Sequence, residues 1–164
     1  MNKQTTAEFT YTREFNAPRE LVFNAFGTAE ALNAWWGPKE TKNTVVSLDF
    51  KPGGIFHFKM VAGDHVSYGR FLFRTIQPYE LLEFTNAFAD EHGNVIKAPF
   101  DIELPKEILY RVEFKERNGK TILYMTGQAY NATETETEVL RSISDSMQEG
   151  FNGTFDKLDT YLNK

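Results

Sequence analysis

The chain contains no cysteine, which excludes disulfide bonds, thiolate catalysis, iron–sulfur clusters and cysteine zinc sites. It has only three histidines, His57, His65 and His92, and no two of them stand at the spacing of metal ligands on a helix. We therefore expect solvated histidines and no metal. Gly53-Gly54 is interpreted as a turn, because neither a Lys-Ser/Thr pair nor a helix follows it, as would be needed in a phosphate-binding loop. No cofactor is expected, and nothing in the sequence demands an enzyme.

Positive charge and long apolar runs are also scarce. Eighteen Lys and Arg stand against 23 Asp and Glu, so the net charge is −5 and gives no basis for binding a nucleic-acid backbone or an anionic lipid surface. No uninterrupted apolar run approaches the roughly 18 residues that span a bilayer, and residues 1–10 lack the apolar segment of a signal peptide. We therefore expect a cytoplasmic chain that binds neither nucleic acid nor membrane.

Aromatic residues, by contrast, are abundant. Phe, Tyr and Trp make up 15% of the 164 residues, with 15 Phe, 7 Tyr and 2 Trp. A chain of this length forms one domain, residues 1–164, and can bury roughly 70% of its unfolded surface in one core. The surplus of rings favours either a very aromatic core or an apolar cavity lined by rings.

Seven stretches have the composition or the alternation of β-strands. They are residues 8–15, 44–50, 54–62, 66–76, 81–87, 108–116 and 121–129. Asn118-Gly119, between the last two, is a strong hairpin signal. Residues 88–107, which include prolines, glycine and several polar residues, predict a long loop.

Helical patterns occur in two places. After Pro18, one short helix is predicted up to Gly27, and a second is predicted from its N-cap Thr28 to Gly37. Near the end of the chain, residues 133–162 predict one long helix with a single apolar arc.

The long helix begins with a capping box formed by Thr133 and Glu136. Its apolar arc includes Gly150, whereas Gly153 falls on the solvent side. Together with the strands, these elements predict an α+β fold, in which a curved antiparallel sheet of about seven strands wraps round the long C-terminal helix. The two short helices lie between strands one and two.

Strand alternation places bulky side chains on the concave face of this sheet, opposite the apolar arc of the helix. The space between them either closes into a solid core or leaves a cavity for a ligand. Asn86 and Tyr110, with Thr154 and Tyr68 as further candidates, would orient such a ligand by hydrogen bonds. The candidate ligand-binding residues are Trp35, Trp36, Phe56, Phe58, Phe71, Phe73, Phe84, Asn86, Tyr110, Met125, Met147 and Phe151.

The two adjacent tryptophans, Trp35 and Trp36, allow two interpretations. Either ring could close one end of the cavity, or it could anchor the second short helix in the core. Adjacent helical residues point about 100° apart, so we expect the two rings to have different roles.

Several short motifs follow one another in an order that resembles a known family. They are Arg13-x-Phe15-x-Ala17-Pro18, Trp35-Trp36-Gly37-Pro38, Pro52-Gly53-Gly54-x-Phe56, Gly69-Arg70-Phe71, Pro78-x-Glu80-Leu81-Leu82, Asp90-Glu91-x-Gly93 and Met147-x-Glu149-Gly150-Phe151. This succession resembles the AHSA1 family, activator of Hsp90 ATPase homologue 1-like, in the START-like (Bet v 1-like, SRPBCC) superfamily of helix-grip folds. The resemblance implies that fold, with an apolar cavity between the sheet and the C-terminal helix.

Two positions depart from the family's usual pattern. Gly150-Phe151 stands where the family commonly has Gly-Trp, and Thr85-Asn86 stands where it often has Thr-Trp. Both departures replace a tryptophan that would face the cavity, which favours a larger or more polar pocket.

The resemblance and the composition together lead to three functional hypotheses. The first is a carrier or sensor, monomeric or homodimeric, that binds a small hydrophobic or aromatic molecule in the cavity. The second is an Hsp90-type interaction module with a chaperone as its partner. The third is an enzyme of the cyclase or hydratase type that uses the same cavity.

Overall fold

The computed structural model describes residues 7–164, which form an α+β fold of eight strands and four helices. In chain order these are β1 (Phe9–Phe15), α1 (Arg19–Asn24), α2 (Ala29–Trp35), β2 (Lys42–Leu48), β3 (Ile55–Ala62), β4 (His65–Gln77), β5 (Leu81–Ala89), β6 (Val95–Ile96), β7 (Glu107–Arg117), β8 (Lys120–Tyr130), α3 (Glu134–Ser142) and α4 (Ser144–Leu162). The seven predicted strands are present. The two-residue β6, which lies within the predicted loop 88–107, was not predicted.

The strands form one antiparallel sheet in the order β1-β8-β7-β5-β4-β3-β2, and β6 pairs with β5 off this path. The register shifts between Val45 and Ser47 in β2 and between Phe73 and Thr75 in β4. Such bulges bend a strand and increase its twist, which helps the sheet curve around the helices. The predicted hairpin at Asn118-Gly119 is confirmed, with both residues at positive φ.

The two short helices between β1 and β2 are also confirmed. The Thr28 hydroxyl caps α2 by accepting a hydrogen bond from the Ala31 amide at 3.2 Å. Helix α2 ends before Gly37, which takes a φ of 101° that glycine adopts without strain.

The prediction of one uninterrupted C-terminal helix is wrong. The capping box is present, with Thr133 and Glu136 each bonding the other's backbone amide. The helix stops at Ser142, however, because Ile143 leaves the helical region at φ −104° and ψ 15°. The Ser142 hydroxyl donates to the Val139 carbonyl at 2.6 Å, a local bond that competes with the helical pattern.

The break changes which face of the second segment is buried. In α4 the buried side chains are Thr154, Phe155 and Leu158, while Gly150 is exposed with open space where a Cβ would stand. A Cβ on Gly153 would instead lie 3.1 Å from Lys39 Cβ. The predicted roles of the two glycines are therefore reversed.

Helix α4 is attached to strand β1 at one edge of the sheet. The Tyr11 hydroxyl donates to Asn152 Oδ1 at 2.7 Å, and Arg13 pairs with Asp156 at 2.8 Å. Met147 and Phe151 pack against the main core. The apolar side of α4 therefore faces the concave side of the sheet, as predicted.

Candidate functional site

A cavity of about 200 Å³ opens at one end of the concave face. Its floor is formed by the ends of β3, β4, β5 and β7 that lie side by side in the antiparallel sheet. Two loops form its sides, residues 36–41 between α2 and β2 and residues 97–106 before β7. The residues that line it are Trp36, Gly37, Pro38, Phe58, Met60, Gly69, Asn86, Ala87, Phe88, Ala98, Leu104, Pro105, Lys106 and Ile108.

The 36–41 loop is held in place by α4. The Thr154 hydroxyl donates to the Gly37 carbonyl oxygen at 2.9 Å, and the bond is buried. Lys157 Nζ donates to the carbonyl oxygens of Pro38 at 3.1 Å and Thr41 at 3.4 Å. Partial burial lowers the pKa of Lys157, against the opposing influence of Glu40. Three bonds from one helix therefore fix this side of the cavity.

The 97–106 loop is anchored by a second, smaller apolar cluster. Ala98 and Leu104 are buried together with Leu140 of α3. Outside this cluster, Lys97 and Glu103 form an ion pair at 3.1 Å across the loop. The predicted loop thus has a defined position against α3, and its buried residues form the second side of the cavity.

The two tryptophans have different roles, as their adjacent positions predict. Trp35 is fully buried, donates its indole N–H to the Ala25 carbonyl at 2.8 Å and stacks on Phe155. Trp36 lines the cavity, with its ring edge-to-face against Phe58 and Phe71. Its own indole N–H is covered by protein atoms and donates to no acceptor in the described chain.

Phe58 lies in the cavity wall because its neighbour across the sheet is Gly69. A Cβ on Gly69 would stand 2.6 Å from the outer ring atoms Cε2 and Cζ of Phe58, which is too close for any real side chain. Glycine at this position therefore allows the ring to lie flat over β4. Strand alternation does not distinguish Gly69 from other strand glycines, although Gly69 stands in the Gly69-Arg70-Phe71 motif of the sequence.

Asn86 supplies a polar group in an otherwise apolar wall. Its Nδ2 donates to the Arg70 carbonyl oxygen at 3.2 Å. Its Oδ1 accepts no hydrogen bond from the described part of the chain and is not sealed off by protein atoms. Lys106 lies at the exposed rim.

The structure brings three of the predicted site residues, Trp36, Phe58 and Asn86, to the cavity wall. Met147 packs against both apolar clusters. The other predicted site residues are part of the main core: Trp35, Phe56, Phe71, Phe73, Phe84, Tyr110, Met125 and Phe151. Their contact with a ligand stays a prediction.

The aromatic rings fill the middle of the concave face. Phe71 stacks on Phe84 with centroids 4.1 Å apart, and Tyr110 lies 5.7 Å from Phe151. Burial raises the pKa of Tyr110 well above its ordinary value. Among the described residues, none of α3 or α4 lines the cavity, so it lies beside the helix-facing core rather than under the helix.

Sequence reasoning missed most of the lining. Strand alternation places Met60 and Ile108 on the concave face with the predicted rings, but neither was among the candidate ligand-binding residues. The loop residues Ala98 and Leu104 carry no local signal, because contacts with residues distant in sequence determine where their loop lies.

The prediction of solvated histidines is wrong for His57. This ring is 6% exposed, and its Nε2 lies 3.1 Å from the Asp90 carbonyl oxygen on the convex side of the sheet. The turn between β5 and β6 covers it, with Gly93 close to the ring. His65 and His92 are exposed. Within residues 7–164 no three His, Asp or Glu side chains are grouped as metal ligands.

A curved antiparallel sheet that grips C-terminal helices, with two short helices before its second strand, defines a START-like, helix-grip protein. The chain belongs to the AHSA1 family: the model of that family, described as activator of Hsp90 ATPase homolog 1-like protein, matches residues 16–163. No curated protein matches the chain. In the described residues no helix is long and apolar enough to cross a membrane.

Solved structures share this fold over nearly the whole chain. A protein from Mycobacterium smegmatis is 26% identical, with a TM-score of 0.73 over 93% of this chain and 88% of that one. A protein from Arthrobacter aurescens is 27% identical, with a TM-score of 0.76 over 94% and 84%. An AHSA1-like protein from Aeromonas hydrophila, 17% identical with a TM-score of 0.63 over 94% and 92%, has the same fold.

Proposed function

We propose that the protein binds a small hydrophobic or aromatic molecule in this cavity and acts as a carrier or sensor. The observation that carries the proposal is the cavity itself, whose walls are rings and aliphatic side chains apart from Asn86 and the rim residue Lys106. Burial of apolar ligand surface against such walls is the main favourable contribution to binding.

The volume limits the size of the ligand. An apolar cavity of about 150 Å³ in another protein binds benzene. A cavity of about 200 Å³ therefore suits one substituted ring or two small fused rings, and it is too small to enclose a long lipid chain.

Titration with para-fluorotoluene tests the proposal, with fluorine NMR to follow the probe and proton–nitrogen NMR spectra to follow the backbone amides of the protein. We expect saturable binding, with the largest amide shifts at cavity residues such as Gly69 and Ala87. Ala98→Leu places a branched side chain in the cavity wall and is expected to abolish the binding.

Ala34→Leu is the matched control, because Ala34 is exposed on α2 and lies outside the cavity. It should bind the probe like the unmodified protein. Equal affinity of the Ala98 and Ala34 variants, or no saturable binding to the unmodified protein, would contradict the proposal.

An Hsp90-type chaperone interaction is the second candidate. The family description names Hsp90 ATPase activation, and the 97–106 loop exposes two large apolar side chains, Phe100 at 53% and Ile102 at 42%. Stimulation of Hsp90 ATP hydrolysis by the protein, lost in Phe100→Ser but kept in Ala98→Leu, would favour this function over ligand binding.

A further inference from the structure

We propose that the cavity selects a neutral aromatic molecule that carries a hydrogen-bond donor, of the phenol or indole type, and that Asn86 Oδ1 accepts this hydrogen bond. The inference rests on the proposed function and adds to it the chemistry of the ligand. It depends on the orientation of one amide group in an apolar wall.

The bond between Asn86 Nδ2 and the Arg70 carbonyl oxygen fixes that orientation. A carbonyl oxygen can only accept, so the amide nitrogen must face Arg70 and the amide oxygen must lie on the other side. Oδ1 has no donor in the described part of the chain and remains accessible. Oδ1 is therefore a free acceptor at this wall that a donor on the ligand satisfies, and the second hydrogen of Nδ2 is left for an acceptor such as the oxygen of the same ligand hydroxyl.

A ligand without a donor would remove water from Oδ1 and leave it unpaired, which costs binding free energy. The other polar group of the aromatic wall, the indole N–H of Trp36, is covered by protein atoms. It therefore does not offer a competing donor to a ligand acceptor without rearrangement of the wall.

The charge and the aromatic side chains of the cavity lining also favour a neutral ligand with a flat ring. Lys106 lies at the exposed rim, so a charge placed deep in the cavity would lose its hydration without an ionic partner. Trp36, Phe58 and Phe88 offer ring faces and edges against which an aromatic ligand packs.

The test compares para-fluorophenol with para-fluorotoluene, which have nearly the same shape but differ in the donor. Fluorine NMR titrations give both affinities for the unmodified protein, for Asn86→Leu and for Met60→Leu. We compare the phenol-to-toluene affinity ratio of each variant with that of the unmodified protein. On binding, the phenol loses the hydration of its hydroxyl and the toluene does not, and this difference cancels when the ratios are compared.

We expect Asn86→Leu to lower the phenol-to-toluene ratio by about two- to tenfold while fluorotoluene still binds. Met60→Leu changes the same cavity without changing its polar group and should leave the ratio unaltered. An unchanged ratio in Asn86→Leu overturns this inference alone. Failure of both probes to bind the unmodified protein overturns the proposed function as well.

A third probe tests the inference without any variant, should Asn86→Leu fail to fold. Para-fluoroanisole keeps the ring and the oxygen but has no donor, and it is more hydrophobic than para-fluorophenol. A purely apolar cavity would bind the anisole more tightly. Tighter binding of the phenol supports the donor requirement, and tighter binding of the anisole overturns it.

Discussion

The hydroxyl of Thr154 donates a buried hydrogen bond to the carbonyl oxygen of Gly37, 2.9 Å away and 117 positions earlier in the chain. This bond connects the C-terminal helix to the loop that forms one side of the cavity. This buried bond therefore couples the packing of α4 to the shape of the cavity, together with the two bonds from Lys157 to the same loop.

Replacement of Thr154 by Val keeps the shape of the side chain but removes the donor. The buried Gly37 carbonyl loses this partner, so we expect the free energy of unfolding to fall by about 1–3 kcal/mol. Affinity for a one-ring probe should fall as well, because the 36–41 loop loses an anchor. Urea unfolding and the fluorine titration measure the two effects.

Thr154→Ser is the control for the hydroxyl. It keeps the donor and removes a methyl group, at a cost of about 1 kcal/mol, and should retain the affinity. Loss of affinity in the Ser variant but not in the Val variant would show that packing, rather than the hydrogen bond, positions the loop.

Gly69→Ala should narrow the cavity. The new Cβ would stand 2.6 Å from the tip of the Phe58 ring, so the ring must swing away from β4 toward the open space. We expect a loss of about 1–3 kcal/mol in stability and a clear loss of affinity for ring-shaped probes. Chemical denaturation and probe titration are the measurements.

Gly127→Ala is the matched strand variant, because its close contact would be with Tyr110 Cε1 in the core at 3.0 Å, whereas the cavity residue Ile108 would lie at an ordinary contact distance of 3.5 Å. It should lose stability but keep the affinity. A loss of affinity equal to that of Gly69→Ala would contradict a local role for Gly69.

The two helix glycines provide a third prediction. Gly150→Ala adds a methyl group where there is open space, so better helix propensity should stabilise the protein by up to about 1 kcal/mol. Gly153→Ala would bring its Cβ to 3.1 Å from Lys39 Cβ, and the repulsion should cancel some or all of that gain. Thermal melts that rank Gly153→Ala as the more stable variant would refute this assignment.

Stability at high pH should depend on Tyr110. Its pKa is raised in the folded protein, whereas an unfolded tyrosine ionises near a pKa of about 10. Above that pH the unfolded chain holds fewer protons than the folded one, so the free energy of unfolding falls as pH rises, by at most about 1.4 kcal/mol per pH unit from this group.

Tyr110→Phe removes the contribution of this hydroxyl to the alkaline fall in the free energy of unfolding. Burial alone raises the pKa of the Tyr110 hydroxyl, with no hydrogen bond contributing, so stability near pH 7 should change little while the alkaline loss becomes shallower. Tyr124→Phe, at a 42% exposed position, should leave the alkaline loss as it is. Denaturant titrations at several pH values compare the three proteins, and identical alkaline slopes would contradict the prediction.

The parts of the fold that local chemistry determines could be predicted from the sequence. The Asn118-Gly119 turn, the Thr28 cap and the capping box at Thr133 each depend on neighbouring residues and were all found. Alternation also gave the right face for the strand side chains, because its period is fixed by strand geometry.

Other features depend on competition between local hydrogen bonds and the helix, or on contacts between residues that are distant in sequence. The break at Ile143 coincides with the hydrogen bond from the Ser142 hydroxyl to the Val139 carbonyl. It reversed the predicted positions of Gly150 and Gly153, although Met147 and Phe151 still pack against the core. Strand alternation places His57 on the face opposite Phe56 and Phe58, as the structure has it, but a turn that follows Ala89 covers it.

The cavity was the hardest feature to locate. Its position depends on two loops that are anchored by Thr154 and Leu140, residues more than thirty positions away from either loop. Strand alternation placed Phe58 and Asn86 on the concave face, and the paired tryptophans drew attention to Trp36 in the loop after α2.

The sheet order has a consequence for how the chain folds. Within residues 7–164, strand β1 pairs only with β8, so Phe9 lies opposite Gly127 and Phe15 lies opposite Thr121. During synthesis β1 therefore stays unpaired until β8 has left the ribosome. Closing so large a loop early costs entropy, which makes folding slow and leaves β1 open to pairing with other chains in the meantime.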